Sequence, residues 1–187
     1  MGQDALHRDT PRRRTPASAP SAPDAPDVVD EIIVQWHEQR PDLDPSAKEI
    51  TGRVVRVASI FQQAFADAFA PLGLNESDYG VLAPLRRAGP PYELTPTELA
   101  RHKMMTSGGM TAALDRLEHK GLLVRTPNPA DRRGSLIRLT DRGLEVMDRA
   151  MEAHTATEHH LVAGLSARDR DRLRELLAKL LRAVDRR

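Results

Sequence analysis

A mainly α-helical fold carrying one small β-hairpin is what this sequence predicts, and three observations predict it. Aromatic residues make up only 3% of the 187, and β-branched runs are short. That balance suits helices packed through Leu, Ala and Val better than a sandwich or barrel. Apolar residues recur at steps of three and four along most of the chain. One pair of short strand-like runs, 123–126 and 136–139, flanks a polar turn rich in Pro, Asn and Asp.

The elements follow in order. Residues 1–27 hold five of the 14 prolines together with Arg12, Arg13 and Arg14. Such a stretch cannot bury enough apolar surface to offset its ordering entropy, so a disordered arm is expected. Residues 28–45 read as an extra N-terminal helix and a linker, with Val29, Ile32, Ile33 and Trp36 on one face and Pro41 beyond its end. Over 46–74, Ile50, Val54, Val57, Phe61, Phe65 and Ala68 mark a long helix suited to dimerisation. Asn75 can cap a third helix that reads to Arg87 and is interrupted by Pro84. Thr95, Pro96, Thr97 and Glu98 form a capping box with proline at the first helical position, opening a short helix to about His102. A further helix spans about Thr106 to Lys120, and the hairpin follows it. Residues 141–187 then supply a long helix to about Ala163 and a last one, opened by Ser166, whose Leu173, Leu176, Leu177, Leu180 and Val184 make a continuous stripe. These C-terminal helices complete the expected dimerisation scaffold.

Helix, tight turn, helix and hairpin over 75–140 describe a winged helix-turn-helix. In that motif the second helix enters the DNA major groove with its N-terminal residues against base edges. This accounts for Gly108 and Gly109 side by side, where each glycine costs roughly 1 kcal/mol relative to alanine. Small residues let the backbone come close, and free N–H groups at a helix start attract phosphate. Thr106, Ser107 and Thr111 offer short hydrogen-bonding side chains on the same turn, and His102 and Lys103 sit where they could touch phosphate. At the hairpin tip, Arg132 and Arg133 form a compact cationic finger suited to the minor groove, with Asp131 beside them to orient an arginine by pairing. Lys120 and Arg125 are further phosphate candidates that read equally well as solvated charges, while the arginines of the arm read rather as a solvated basic tail.

The stretch from Leu94 to Thr140 resembles the MarR family of bacterial transcription regulators. LTPTELARHKMMTSGGMTAALDRLEHKGLLVR is similar to the family's helix-turn-helix, and DRRGSLIRLT matches its wing pattern at Asp131, Arg133, Leu139 and Thr140. The resemblance implies that Arg133 is the minor-groove arginine and Asp131 its orienting partner. QWHEQRPDLD, after an extra N-terminal helix, further resembles the urate-responsive branch. For that branch, ligand binding is attributed to a tryptophan on the extra helix, an aspartate and an arginine on the third helix, and an arginine on the recognition helix. Trp36 and Arg87 match two of these and form the candidate ligand pocket. Gly80 and Ala113 stand where the aspartate and the second arginine are expected. Losing one bidentate anchor for a planar anion costs about 1.5–3 kcal/mol. Restoring aspartate at 80 and arginine at 113 is then the change expected to recover urate sensitivity.

Other chemistries find little support. There is no cysteine, which excludes disulfide scaffolds and thiolate metal sites. No apolar run has the length of a membrane span and the N-terminus has no hydrophobic segment, so a cytoplasmic protein without membrane contact is expected. His154, His159 and His160 lack the spacing that would put two zinc ligands on one face, and no metal or cofactor is expected. Ser107-Gly108-Gly109 lacks the flanking pattern of a nucleophile elbow, and nothing else suggests an enzyme. The expected function is a homodimeric, ligand-responsive repressor that binds double-stranded DNA at a pseudo-palindromic operator, with a small-molecule effector. The rival reading is a winged-helix domain turned protein-interaction module.

Overall fold

The computed structural model describes residues 25–101, 108–129 and 131–185, with backbone alone for Gly108, Arg132 and Arg133. Seven helices and three strands occur among them: α1 (Val28–Gln39), α2 (Lys48–Phe69), α3 (Glu76–Arg87), β1 (Glu93–Leu94), α4 (Pro96–Arg101), α5 (Gly108–His119), β2 (Leu123–Asn128), β3 (Asp131–Leu139), α6 (Asp141–Leu161) and α7 (Ala167–Val184). They divide into two compact units, Met1–Val54 and Val55–Arg187, with the boundary inside α2.

In the first unit, α1 packs on the opening turns of α2. Asp27 and Asp30 form a capping box at the start of α1. Val29 is buried, and it can be because Gly52 faces it: a Cβ on Gly52 would lie 2.9 Å from Val29 Cγ1. Arg53 ties the same corner, donating to Asp27 at 2.8 Å and to Asp30 at 2.6 Å.

In the second unit, Leu82, Leu85, Leu117, Leu123, Ile137 and Met147 are fully buried and bring α3, α5, the sheet and α6 around one core. Asn75 caps α3 as its sequence suggests. Pro84, however, does not interrupt that helix, which runs unbroken to Arg87. The ring is itself buried beside Leu82, Ala83 and Leu85, and this packing offsets the roughly 3 kcal/mol that a mid-helix proline costs.

The hairpin is longer than the alternating runs suggest. Strand pairing extends from Leu123 opposite Leu139 to Asn128 opposite Asp131, with an irregularity between Pro127 and Asn128. The polar segment read as a turn is therefore mostly strand. Polar residues serve here because the outer wing has no core to face. A third strand not foreseen, β1, pairs antiparallel with β3 through Glu93 opposite Arg138 and Leu94 opposite Ile137, so the sheet order is β1-β3-β2. Two residues are too few to show an alternating pattern.

Where the wing returns to the scaffold, Thr140 caps α6 by accepting from the Gly143 N–H at 2.9 Å and donates to the Gly121 carbonyl at 2.8 Å. Gly143 is obligatory at this junction: a Cβ there would lie 1.8 Å from the Leu122 carbonyl oxygen. The end of α5 and the start of α6 are thus held backbone to backbone.

Candidate nucleic-acid interface

The site expected from sequence is the opening turn of α5 and the wing tip. His102, Lys103, Thr106 and Ser107 lie outside the described residues, and so do the side chains of Arg132 and Arg133. From Gly108 onward the geometry is clear. Ala113, Leu114 and Leu117 face the core, while Thr111, Ala112 and Asp115 are exposed. Positions 108, 111, 112 and 115 follow the three-and-four spacing of one helical face, so they make a continuous outward stripe. It contains one hydroxyl, two residues with little or no side chain, and one carboxylate.

Among the described residues, a Cβ at Gly109 would meet nothing within 4 Å.

The charges around α5 are arranged so that its two flanks are tied. Arg125 of β2 pairs with Asp115 through a short hydrogen bond and with Glu118 at 3.1 Å. The Asp115 carboxylate holds the Arg125 guanidinium above its ordinary pKa, and the pair neutralises an anion on the exposed face. On the opposite flank, Asp78 of α3 is completely buried and accepts from Arg116 at 2.6 and 2.9 Å and from Lys120 at 3.1 Å. Lys120 also donates to the Gly73 carbonyl at 2.7 Å. Lys120 and Arg125, read from sequence as phosphate candidates or solvated charges, are each paired with carboxylates of this chain while about one-third exposed. Sequence reading missed Asp78 because an acid three residues after Asn75 signals only a capping box, and nothing local links it to Arg116.

At the wing, Asp131 pairs opposite Asn128 in the last register of the hairpin. Its carboxylate lies over Gly134, where a Cβ would come within 3.1 Å of Oδ2. The backbones of Arg132 and Arg133 follow directly in β3.

The two candidate ligand-pocket residues belong to different units. Trp36 belongs to the first unit, is 45% exposed and has Lys48 Nζ 5.9 Å from its ring centroid. Arg87 is exposed at the end of α3 in the second unit. Ala113, aligned by resemblance with a ligand-binding arginine, is 0% exposed. An arginine at this position would be built into the core. His154 stacks on Phe65 and Tyr79 at centroid distances of 4.4 and 4.7 Å, and its Nδ1 makes no hydrogen bond although Glu158 lies 3.3 Å away. Burial pushes the Tyr79 phenol above its ordinary pKa; Glu158 adds to the shift and Arg87 opposes it. Among the described residues no cluster of three metal-ligating side chains occurs, and no helix is long and apolar enough to cross a membrane.

Comparison with known proteins agrees with this architecture. The MarR family model matches residues 72–134. The transcriptional regulator PecS of Dickeya dadantii is 34% identical over 152 residues, covering 81% of this chain and 92% of that protein. The multiple antibiotic resistance protein MarR of Salmonella typhimurium is 34% identical over 113 residues, 60% of this chain and 76% of that one. Among solved structures, a MarR mutant from E. coli complexed with operator DNA superposes with a TM-score of 0.64 at 30% identity, covering 74% of this chain and 99% of that one. A MarR family regulator from Streptomyces coelicolor in complex with DNA gives 0.67 at 25% identity, covering 76% and 89%. With its winged helix-turn-helix, its outward small-residue stripe and these relatives, the chain belongs to the MarR family of transcription regulators and is not an enzyme.

Proposed function

We propose that this chain acts as a homodimer whose two heads read the half-sites of a pseudo-palindromic operator, as a ligand-responsive repressor in the bacterial cytoplasm. The observation that carries the reading is the exposed face of α5, where Thr111, Ala112 and Asp115 leave one hydroxyl, one small side chain and one carboxylate outward. A helix face with such short side chains suits close approach to base edges. Ser107, Thr106 and Gly108 extend the same turn toward the bases, with His102 and Lys103 on phosphate. Arg132 and Arg133 enter the minor groove from the wing, and Asp131 orients Arg133. Both solved relatives carrying DNA in their structures have this architecture.

Dimerisation is supported by α7, which buries none of its residues and leaves Leu173, Leu176, Leu177, Leu180, Leu181 and Val184 between 39% and 62% exposed. An apolar face of that extent marks a protein interface, and a two-fold partner gives two heads the fixed spacing that paired half-sites demand. The effector is a small molecule, with Trp36 and Arg87 the pocket residues carried by resemblance. Gly80 and the buried Ala113 supply neither carboxylate nor guanidinium, so the likeness to the urate-responsive branch is one of architecture, the added N-terminal helix, rather than of ligand chemistry.

The test is fluorescence anisotropy on duplexes that wild-type protein enriches from a random pool, across a salt series. Nanomolar binding that weakens steeply with salt, with a loss of about 1–3 kcal/mol per contacted site in Arg133→Ala, is the expected result. Enrichment of no sequence over random DNA would overturn operator reading and favour a protein partner for the head.

A further inference from the structure

The buried carboxylate of Asp78 has no role in capping alone that would explain its surroundings. All four of its lone-pair sites are taken. Oδ1 receives Arg116 Nε at 2.9 Å and Arg116 Nη2 at 2.6 Å, while Oδ2 receives Lys120 Nζ at 3.1 Å and the Asn75 N–H at 3.3 Å. The carboxylate is fully enclosed, whereas the side chains of Arg116 and Lys120 are about one-third exposed. An anion so enclosed is tolerable only while its cations stay in place, so the arrangement is stiff. It joins the first turn of α3 to the last turn of α5.

That is the far end of the helix from its opening turn at 108–111. A helix of 12 residues is about 18 Å long, so a tilt of about 10° at its C-terminal end moves its N-terminus by about 3 Å. Such a displacement equals a whole hydrogen-bond length, and base readout does not survive it. The opposite flank, tied by Arg125 to Asp115 and Glu118, is more open and cannot set the angle alone.

We infer that Asp78, through Arg116 and Lys120, is a positioning residue for sequence reading: it fixes the angle of α5 and keeps both cations off the phosphates. This rests on the operator-reading function proposed above. It predicts a signature different from that of a phosphate ligand or of a residue needed only for folding. Full-length wild type, Arg116→Gln, Arg116→Lys, Asp78→Asn and the Asp78→Asn/Arg116→Gln double variant would be titrated by anisotropy. The probes are a duplex selected by wild type and a random duplex of equal length, over a salt series, with thermal denaturation alongside. Arg116→Gln is the primary variant, because Lys120 and Asn75 still bond the carboxylate, and Asp78→Asn, which removes the buried charge itself, keeps the test open if Arg116→Gln is destabilised.

Arg116→Gln should bind the selected duplex at least tenfold more weakly, bind random DNA within twofold of wild type, and keep the wild-type salt slope. Arg116→Lys should recover part of the loss, and the double variant should be no worse than the weaker single one. Equal losses on both duplexes with a shallower slope would make Arg116 a phosphate ligand and overturn the inference. A lowered melting midpoint with the selected-to-random ratio unchanged would reduce the network to a stability element and overturn it as well. Failure of wild type itself to prefer any selected duplex would instead remove the operator-reading function on which the inference depends.

Discussion

At the scale of single residues, the most informative position is one where the protein holds nothing. Gly109 sits in a helix with open space, among the described residues, where its side chain would be, so their packing gives no reason to keep it. Gly109→Ala should raise the stability of the free protein by about 1 kcal/mol and weaken binding to a selected duplex by tenfold or more. Thermal denaturation and anisotropy on one preparation check both halves. Gain of stability without loss of affinity would show that the groove does not approach this turn. Gly143 is the opposite case, since its absent side chain is filled by the Leu122 carbonyl. Gly143→Ala should cost at least about 1–3 kcal/mol, as overpacking does, read as a lowered urea midpoint with unchanged m-value. Two glycines in helix-opening turns thus differ in kind: a side chain is excluded by the fold at Gly143 and not at Gly109.

At the scale of elements, the junction of α1 with α2 makes its own prediction. The hydrogen bond from Arg53 is the chief cause that holds the Asp30 carboxyl below its ordinary value of 3.8. A carboxyl depressed in the folded state contributes stabilisation that is fully present above its unfolded value and is lost as pH falls through the folded one. Trp36, the only tryptophan, lies on the same helix and reports on it. Its emission should stay constant from neutral pH down to about 4 and change only below that. Arg53→Met should shift the neutral-pH emission toward the acid spectrum, because the tie is then already gone. An acid transition identical in the variant would remove Arg53 from the account. The exposure of this pair confines the effect to α1 rather than to global stability.

At the scale of the whole molecule, the exposed apolar face of α7 governs assembly. Leu177 and Leu180 are 46% and 39% exposed on a helix that buries nothing. Leu177→Glu with Leu180→Glu should convert the dimer to monomer in sedimentation equilibrium while helical content by circular dichroism is retained. Operator affinity should fall by two orders of magnitude or more, because each head then binds a half-site alone and loses the effective concentration that linkage provides. A monomeric wild type at micromolar concentration would reassign the leucine face to another partner. The family membership makes the same prediction more specific: heads at fixed spacing should be sensitive to inserted base pairs between half-sites.

Much of this molecule was legible before any coordinates. Helical periodicity, the Asn75, Thr95 and Ser166 starts, the hairpin after α5 and the family's wing pattern all depend on residues close in sequence, where local sterics and hydrogen bonding decide the outcome. The same local logic places residues 111, 112 and 115 on one face of α5, because a helix face follows from spacing alone. What the tertiary structure decided was everything set by partners distant in the chain. Pro84 continues its helix because the core encloses it, and β1 exists because β3 offers it an edge. Ala113 points inward and is enclosed by the core. Lys120 and Arg125 turn to carboxylates of this chain. Above all, Asp78 meets Arg116 across 38 residues of chain. A charge shows in sequence, but the counter-charge that determines its use is chosen only when the helices pack.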